Sequence, residues 1–122
     1  MRRGFTMVEL LAVLAIVALL LSLAVPRYFQ SEQRAKEKVL QQNLHQMREA
    51  IQQYYADKGR YPDQLETLAR EKYLRQIPVD PVTESPATWI VVAPAAASSS
   101  GVYNVRSGAP GAASNGKSFS EL

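Results

Sequence analysis

The sequence predicts an α+β fold in which one long N-terminal helix, apolar in its first half and amphipathic in its second, packs on a small antiparallel β-sheet. Three observations carry this. Residues 5–25 form a nearly unbroken apolar run, residues 28–55 contain neither Gly nor Pro and place apolar side chains at helical spacing, and two β-prone segments follow near the C-terminus. About 25 of the 122 residues suit a membrane, which leaves a body with one small core.

Every residue from Leu10 to Leu21 is apolar, and between Phe5 and Val25 only Thr6, Glu9 and Ser22 interrupt. As a helix this stretch spans roughly 30 Å, the thickness of a hydrocarbon core. Arg2 and Arg3 precede it, which fits a cytoplasmic N-terminus and a body on the far side of the membrane. A cleaved secretory signal fits less well. The basic region is four residues long, Ala24-Val25-Pro26 is a poor cleavage pattern, and an acid sits inside the apolar run. That acid, Glu9, costs a few kcal/mol in lipid and is therefore expected to serve a function with a partner. Arg2 and Arg3 lie just outside the segment and Arg27 a full span away, so the partner is expected from another molecule.

Pro26 closes the apolar run. A proline removes one helical hydrogen bond and crowds the preceding turn, so Pro26 is read as a kink within one long helix and not as its end. Beyond it, Leu40, Leu44, Met47, Ile51 and Tyr54 are spaced by four, three, four and three, one stripe that Val39, Ala50 and Tyr55 widen. Gln42, Arg48, Gln52 and Gln53 are assigned to the opposite face. His45 beside the stripe has no acidic or cysteine neighbour at ligand spacing and reads as a partly exposed structural histidine. Lys58-Gly59-Arg60-Tyr61-Pro62 ends the helix near Asp57, with glycine as a left-handed cap.

Asp63 with Glu66 three residues later predicts a capping box opening a short helix to about Lys72, whose end Tyr73-Leu74 packs. Pro78 and Pro81 make residues 77–81 an ordered loop. Thr88–Val92 and Gly101–Val105 predict the two strands of a hairpin, joined through the small residues 93–100. Two strands need cover, and Leu44, Met47 and Ile51 of the helix supply it, with Trp89 as the core anchor. Residues 107–116, rich in Gly, Ala, Ser and Pro, predict an irregular, mobile loop.

Composition excludes several functions. Fourteen basic against eleven acidic residues give +3, without a run of like charges or interleaved aromatics, so nucleic acid is not an expected partner. With no cysteine, one histidine, no G-x-S-x-G and no H-E-x-x-H, the inventory for catalysis is missing and no enzyme is expected.

Gly4-Phe5-Thr6-Met7-Val8-Glu9-Leu10-Leu11 resembles the G-F-T-L-x-E-L-L signature of class III prepilins, the precursors of type IV pilins and of type II secretion pseudopilins; only Met7 departs, for Leu. Lys58-Gly59-Arg60-Tyr61-Pro62, Tyr73-Leu74 and Pro78-Val79-Asp80-Pro81 further resemble the αβ-loop of the major, G-type pseudopilin. The resemblance implies a type IV pilin fold: a leader at 1–4, a transmembrane and polymerisation helix at 5–26, and a periplasmic domain at 27–122, divided into amphipathic helix 27–57, αβ-loop 58–86, and hairpin with C-terminal loop 87–122. It implies cleavage between Gly4 and Phe5 by a prepilin peptidase, N-methylation of Phe5, and pairing of the Phe5 ammonium with Glu9 of a neighbouring copy, which sets filament register. The implied partners are further copies in a helical filament, the inner-membrane assembly platform, other pseudopilins and the lipid bilayer. The implied role is a structural subunit of the periplasmic pseudopilus of a type II secretion system, anchored in the bacterial inner membrane. A type IV pilus or competence-pilus subunit and a minor pseudopilin are the alternatives, although Glu9 argues against the tip-most subunit. The family's C-terminal loop often holds calcium. Here no Asp or Glu lies between Ala87 and Ser120, so only Ser107, Asn115 and backbone carbonyls are candidates, and no cofactor is expected.

Overall fold

The computed structural model describes residues 4–96 and 100–122. Helix α1 (Met7–Lys58) is followed by α2 (Leu65–Arg70), strands β1 (Trp89–Val92) and β2 (Asn104–Ser107), and a short 3₁₀ helix (Phe119–Glu121). A long helix beside a small antiparallel sheet is an α+β pilin fold. The chain divides into two compact units with the boundary between Arg34 and Ala35. The first is the apolar half of α1, where every large apolar side chain from Phe5 to Phe29 is exposed. α1 runs through Pro26 without ending there. The proline leaves the Ser22 carbonyl without its helical donor, and Ser22 Oγ donates to the Leu19 carbonyl at 2.9 Å.

The second unit is the body. Leu40, Leu44, Met47, Ala50, Ile51 and Tyr54 of α1 are buried with Leu65 and Leu68 of α2, Trp89, Val102, Val105, Ala109, Ala113 and Phe119. Trp89 also donates its indole N–H to the Pro78 carbonyl at 2.8 Å, which satisfies its one polar atom. The face is narrower than the spacing suggested, since Val39 and Tyr55 stay 47% and 43% exposed. Arg48 is not on the outer face. Its Nε donates to Asn104 Oδ1 at 2.9 Å and its Nη2 to the carbonyls of Val105 and Leu122 at 3.0 and 2.8 Å. A half-buried guanidinium with three acceptors ties α1 to β2 and to residue 122, and burial, with Arg106 close by, holds its pKa below the usual arginine value.

α1 ends at Lys58, where Gly59 takes φ +69° and returns its N–H to Tyr55. The capping box expected at Asp63 does not form: Gln64 is the N-cap and contributes no side-chain bond. α2 stops at Arg70, short of Lys72, because the chain turns through a Schellman arrangement. Lys72 adopts φ 68°, its N–H reaches Ala69, and the Tyr73 N–H reaches Leu68 at 2.8 Å.

β1 and β2 pair antiparallel in the register Trp89↔Ser107 to Val92↔Asn104. The second strand lies three residues later than its β-propensity indicated. Gly101 and Val102 are diverted to the αβ-loop, where the Val102 N–H bonds the Pro62 carbonyl at 2.8 Å. Gly101 fits there because a Cβ would lie 2.7 Å from that oxygen. Just past the pairing, a Cβ on Gly108 would sit 2.2 Å from the Thr88 carbonyl, so the close approach there also requires glycine.

The C-terminal segment is irregular and largely exposed, anchored by buried Ser107, Ala109, Ala113 and Phe119. It borrows carboxylates from elsewhere. Glu37 of α1 accepts the Ser114 N–H and hydroxyl at 2.7 and 2.6 Å. Asp80, fully buried, accepts from Val82 N, Thr83 N and Ser107 Oγ at 2.8, 3.4 and 2.6 Å. Tyr73 donates to Asp57 at 2.7 Å.

Two predictions follow from these contacts. Asp80→Ala leaves two backbone N–H groups and the Ser107 hydroxyl without an acceptor, which is expected to destabilise the body by about 1–3 kcal/mol in denaturant unfolding. The hydrogen bond to Asp57, with burial and the nearby acids, raises the Tyr73 pKa from 10.0 to about 12. The bonded phenol therefore stabilises the fold fully below pH 10.0, and this contribution is lost as pH climbs to about 12. Thermal melts from pH 9 to 12 should show an alkaline fall that Tyr73→Phe flattens.

Candidate assembly site at the start of the long helix

Gly4 and Phe5 precede the helix in irregular backbone, both exposed, and a Cβ on Gly4 would meet nothing within 4 Å. The peptide between them is open to an enzyme. The leader residues 1–3 lie outside the described residues.

Thr6 is the helix N-cap and Glu9 the third helical residue. The Glu9 N–H donates to Thr6 Oγ1 at 3.1 Å and the Thr6 N–H donates to Glu9 Oε2 at 3.1 Å. This reciprocal pair is a capping box, and it satisfies two of the N–H groups that a helix start leaves open. Glu9 therefore has a hydrogen-bond partner in its own chain, in addition to the neutralising partner that the sequence assigns to another molecule. The signal was legible as T-x-x-E ahead of an apolar run. The box supplies hydrogen bonds and no positive charge; among the described residues no cation is paired with Glu9. The carboxylate is also favoured by the positive end of the helix dipole.

The other singled-out residues are dispersed. Trp89 shares the core with Leu44, Met47 and Ile51. Ser107 is buried on Asp80, and Asn115 is exposed and accepts the Lys117 N–H at 3.0 Å. Among the described residues no three His, Cys, Asp or Glu side chains are grouped to hold a metal. His45 does have an acidic neighbour, Glu49 at 3.0 Å one turn on, with 71% and 69% of the two side chains exposed. The pair lines an open groove of about 1070 Å³ whose other residues include Gln52, Gln53, Tyr73 and Arg75. Solvent surrounds the pair, an ordinary helical i,i+4 contact. Arg48, Glu37 and Asp80 escaped sequence reasoning because nothing local marks which charged side chains fold inward.

α1 holds a segment long and apolar enough to cross a membrane, with none of it buried. Comparison with known proteins extends this picture. Residues 1–25 match the prokaryotic N-terminal methylation motif, and residues 27–89 match the model of type II secretion system protein G. The chain is 34% identical over 61 residues to the type IV major pilin protein PilA of Myxococcus xanthus, covering 50% of this chain and 28% of PilA. It is 32% identical over 71 residues to competence protein ComGC of Halalkalibacterium halodurans, 58% of this chain and 70% of that one. To the type II secretion system core protein G of Escherichia coli it is 27% identical over 96 residues, 66% of each chain. No solved structure matches. With more than half its length matched to protein G, behind an intact methylation motif, this chain belongs to the type II secretion system protein G family.

Proposed function

We propose that this chain is a filament-forming subunit of a type II secretion pseudopilus, stored in the inner membrane with its body in the periplasm. The observation that supports it most is the pairing of a solvent-accessible Gly4-Phe5 peptide with an acid held in the first turn of a helix whose apolar half is exposed. A peptidase acting between Gly4 and Phe5 creates a new amine, and methylation leaves its positive charge in place. That ammonium is the counter-charge that no described residue supplies to Glu9. In a bundle of such helices, pairing it with Glu9 of the adjoining copy fixes axial register, since a slipped arrangement strands both charges in an apolar setting. Pro26, which cannot donate to the Ser22 carbonyl, is where α1 would bend on packing. The likeness to ComGC supports a second reading, a competence or pilus subunit built the same way. Secretion of a reporter against DNA uptake, in a strain lacking the chain, separates the two.

Intact mass after co-expression with a prepilin peptidase is expected to show loss of Met1 to Gly4 plus one methyl group. An uncleaved chain, or cleavage beyond Ala24 with release of soluble protein, would overturn the proposal. Glu9→Leu should be processed yet fail to assemble. Thr6→Ala removes the cap, costing about 1 kcal/mol at the helix start, and Thr6→Ser should restore it; filament yield in sheared fractions reads both.

A further inference from the structure

The body carries two patches of apolar side chains that stay partly exposed beside its core. One is aromatic. Tyr55 stacks on Tyr61 with ring centroids 4.5 Å apart, and Tyr61 meets Tyr103 edge-on at 5.4 Å. Tyr55 and Tyr103 remain nearly half exposed. The other is aliphatic. Val39 and Val79 are each about half exposed, and Asn43, one turn on from Val39, donates to the Val79 carbonyl at 3.1 Å.

Helical geometry places the patches on opposite flanks. Measured from the buried Leu40–Ile51 stripe, Val39 lies about 100° to one side and Tyr55 about 60° to the other, roughly 24 Å further along the axis. Their charges also differ. Beside Tyr61, Arg60 is exposed and makes no ion pair among the described residues, while Lys58 is taken by Glu71 at 3.6 Å. On the other flank, the carbonyl of Asp80, the residue after Val79, accepts the N–H of exposed Glu84 at 2.7 Å, and the Glu84 carboxylate makes no ion pair among the described residues. One flank thus offers tyrosines with a free cation, the composition of an interface centre, and the other offers small apolar side chains with a free anion. Dissimilar, complementary patches on opposite flanks make a heterologous contact, which leaves one of each unsatisfied at every step and so repeats.

We propose that the Tyr55–Tyr61–Tyr103 patch of one copy seats on the Val39–Val79 patch of the next, with Arg60 facing Glu84, as the body-to-body contact of the filament. This rests on the assembly reading above. The test uses full-length chain expressed with its peptidase and assembly machinery. Arg60→Glu and Glu84→Arg should each lower filament yield roughly tenfold, since like charges then face each other, and the double reversal should restore it. Because the chain has no cysteine, Tyr103→Cys with Val79→Cys should give an oxidised ladder of multimers, and neither single variant should cross-link. Dimers from Tyr103→Cys alone would mean like meets like and would overturn the proposal. Filaments that form without a ladder, or a double reversal no better than the singles in variants that melt like the parent, would overturn this contact and leave the assembly reading standing. A parent chain that forms no filament would overturn both.

Discussion

From Phe5 to Val25 the chain presents a helical surface that nothing in its own fold covers, and the arrangement of everything else answers to that fact. Burying one large apolar side chain stabilises by about 1.5–3 kcal/mol, and α1 displays a long row of them. Water is therefore an untenable surrounding for this half, whereas lipid or a bundle of like helices suits it. The same segment can pass from one to the other because both are apolar. What lipid and helix bundle treat differently is the single carboxylate at Glu9.

The body solves a separate problem, that of stabilising a two-stranded sheet with little core. It does so by using the C-terminal half of α1 as a floor and by tying irregular chain to it with charged side chains. Residues 107–120 contain no acid. Even so, Ser107 and Ser114 are held by carboxylates, Asp80 from the αβ-loop and Glu37 from α1, while Arg48 fastens β2 and residue 122. A bidentate carboxylate on a serine N–H and hydroxyl does part of what a bound cation does for a loop, namely fixing backbone that has no regular partner. The three ties come from far apart in sequence, so the loop's order depends on the finished fold.

That dependence also marks what the sequence could disclose. The helix, its end at Gly59, the buried stripe and the place of Trp89 follow from local rules of period, cap and propensity, and all were legible. The late start of β2 was not, because the Pro62 carbonyl claims Val102 and the competition is tertiary. Asp63 lost its capping role to the geometry of Gln64, and Arg48 looked like an outward-facing residue until its three acceptors were in place. At the start of α1 the T-x-x-E spacing that gives the Thr6–Glu9 hydrogen bonds was also legible, whereas the charge of Glu9 alone did not disclose them.

Those hydrogen bonds bear on how Glu9 can serve both surroundings. A carboxylate offers about four acceptor sites, and the capping box occupies one oxygen with one N–H. In the isolated chain the box orients the acid at the helix start and lowers the cost of keeping it near lipid, without neutralising it. A neighbouring ammonium can then bind the remaining sites with the box still closed. The local motif and the proposed intermolecular pair thus add and do not compete: the first fixes where the carboxylate points, and the second would fix which neighbour is in register with it.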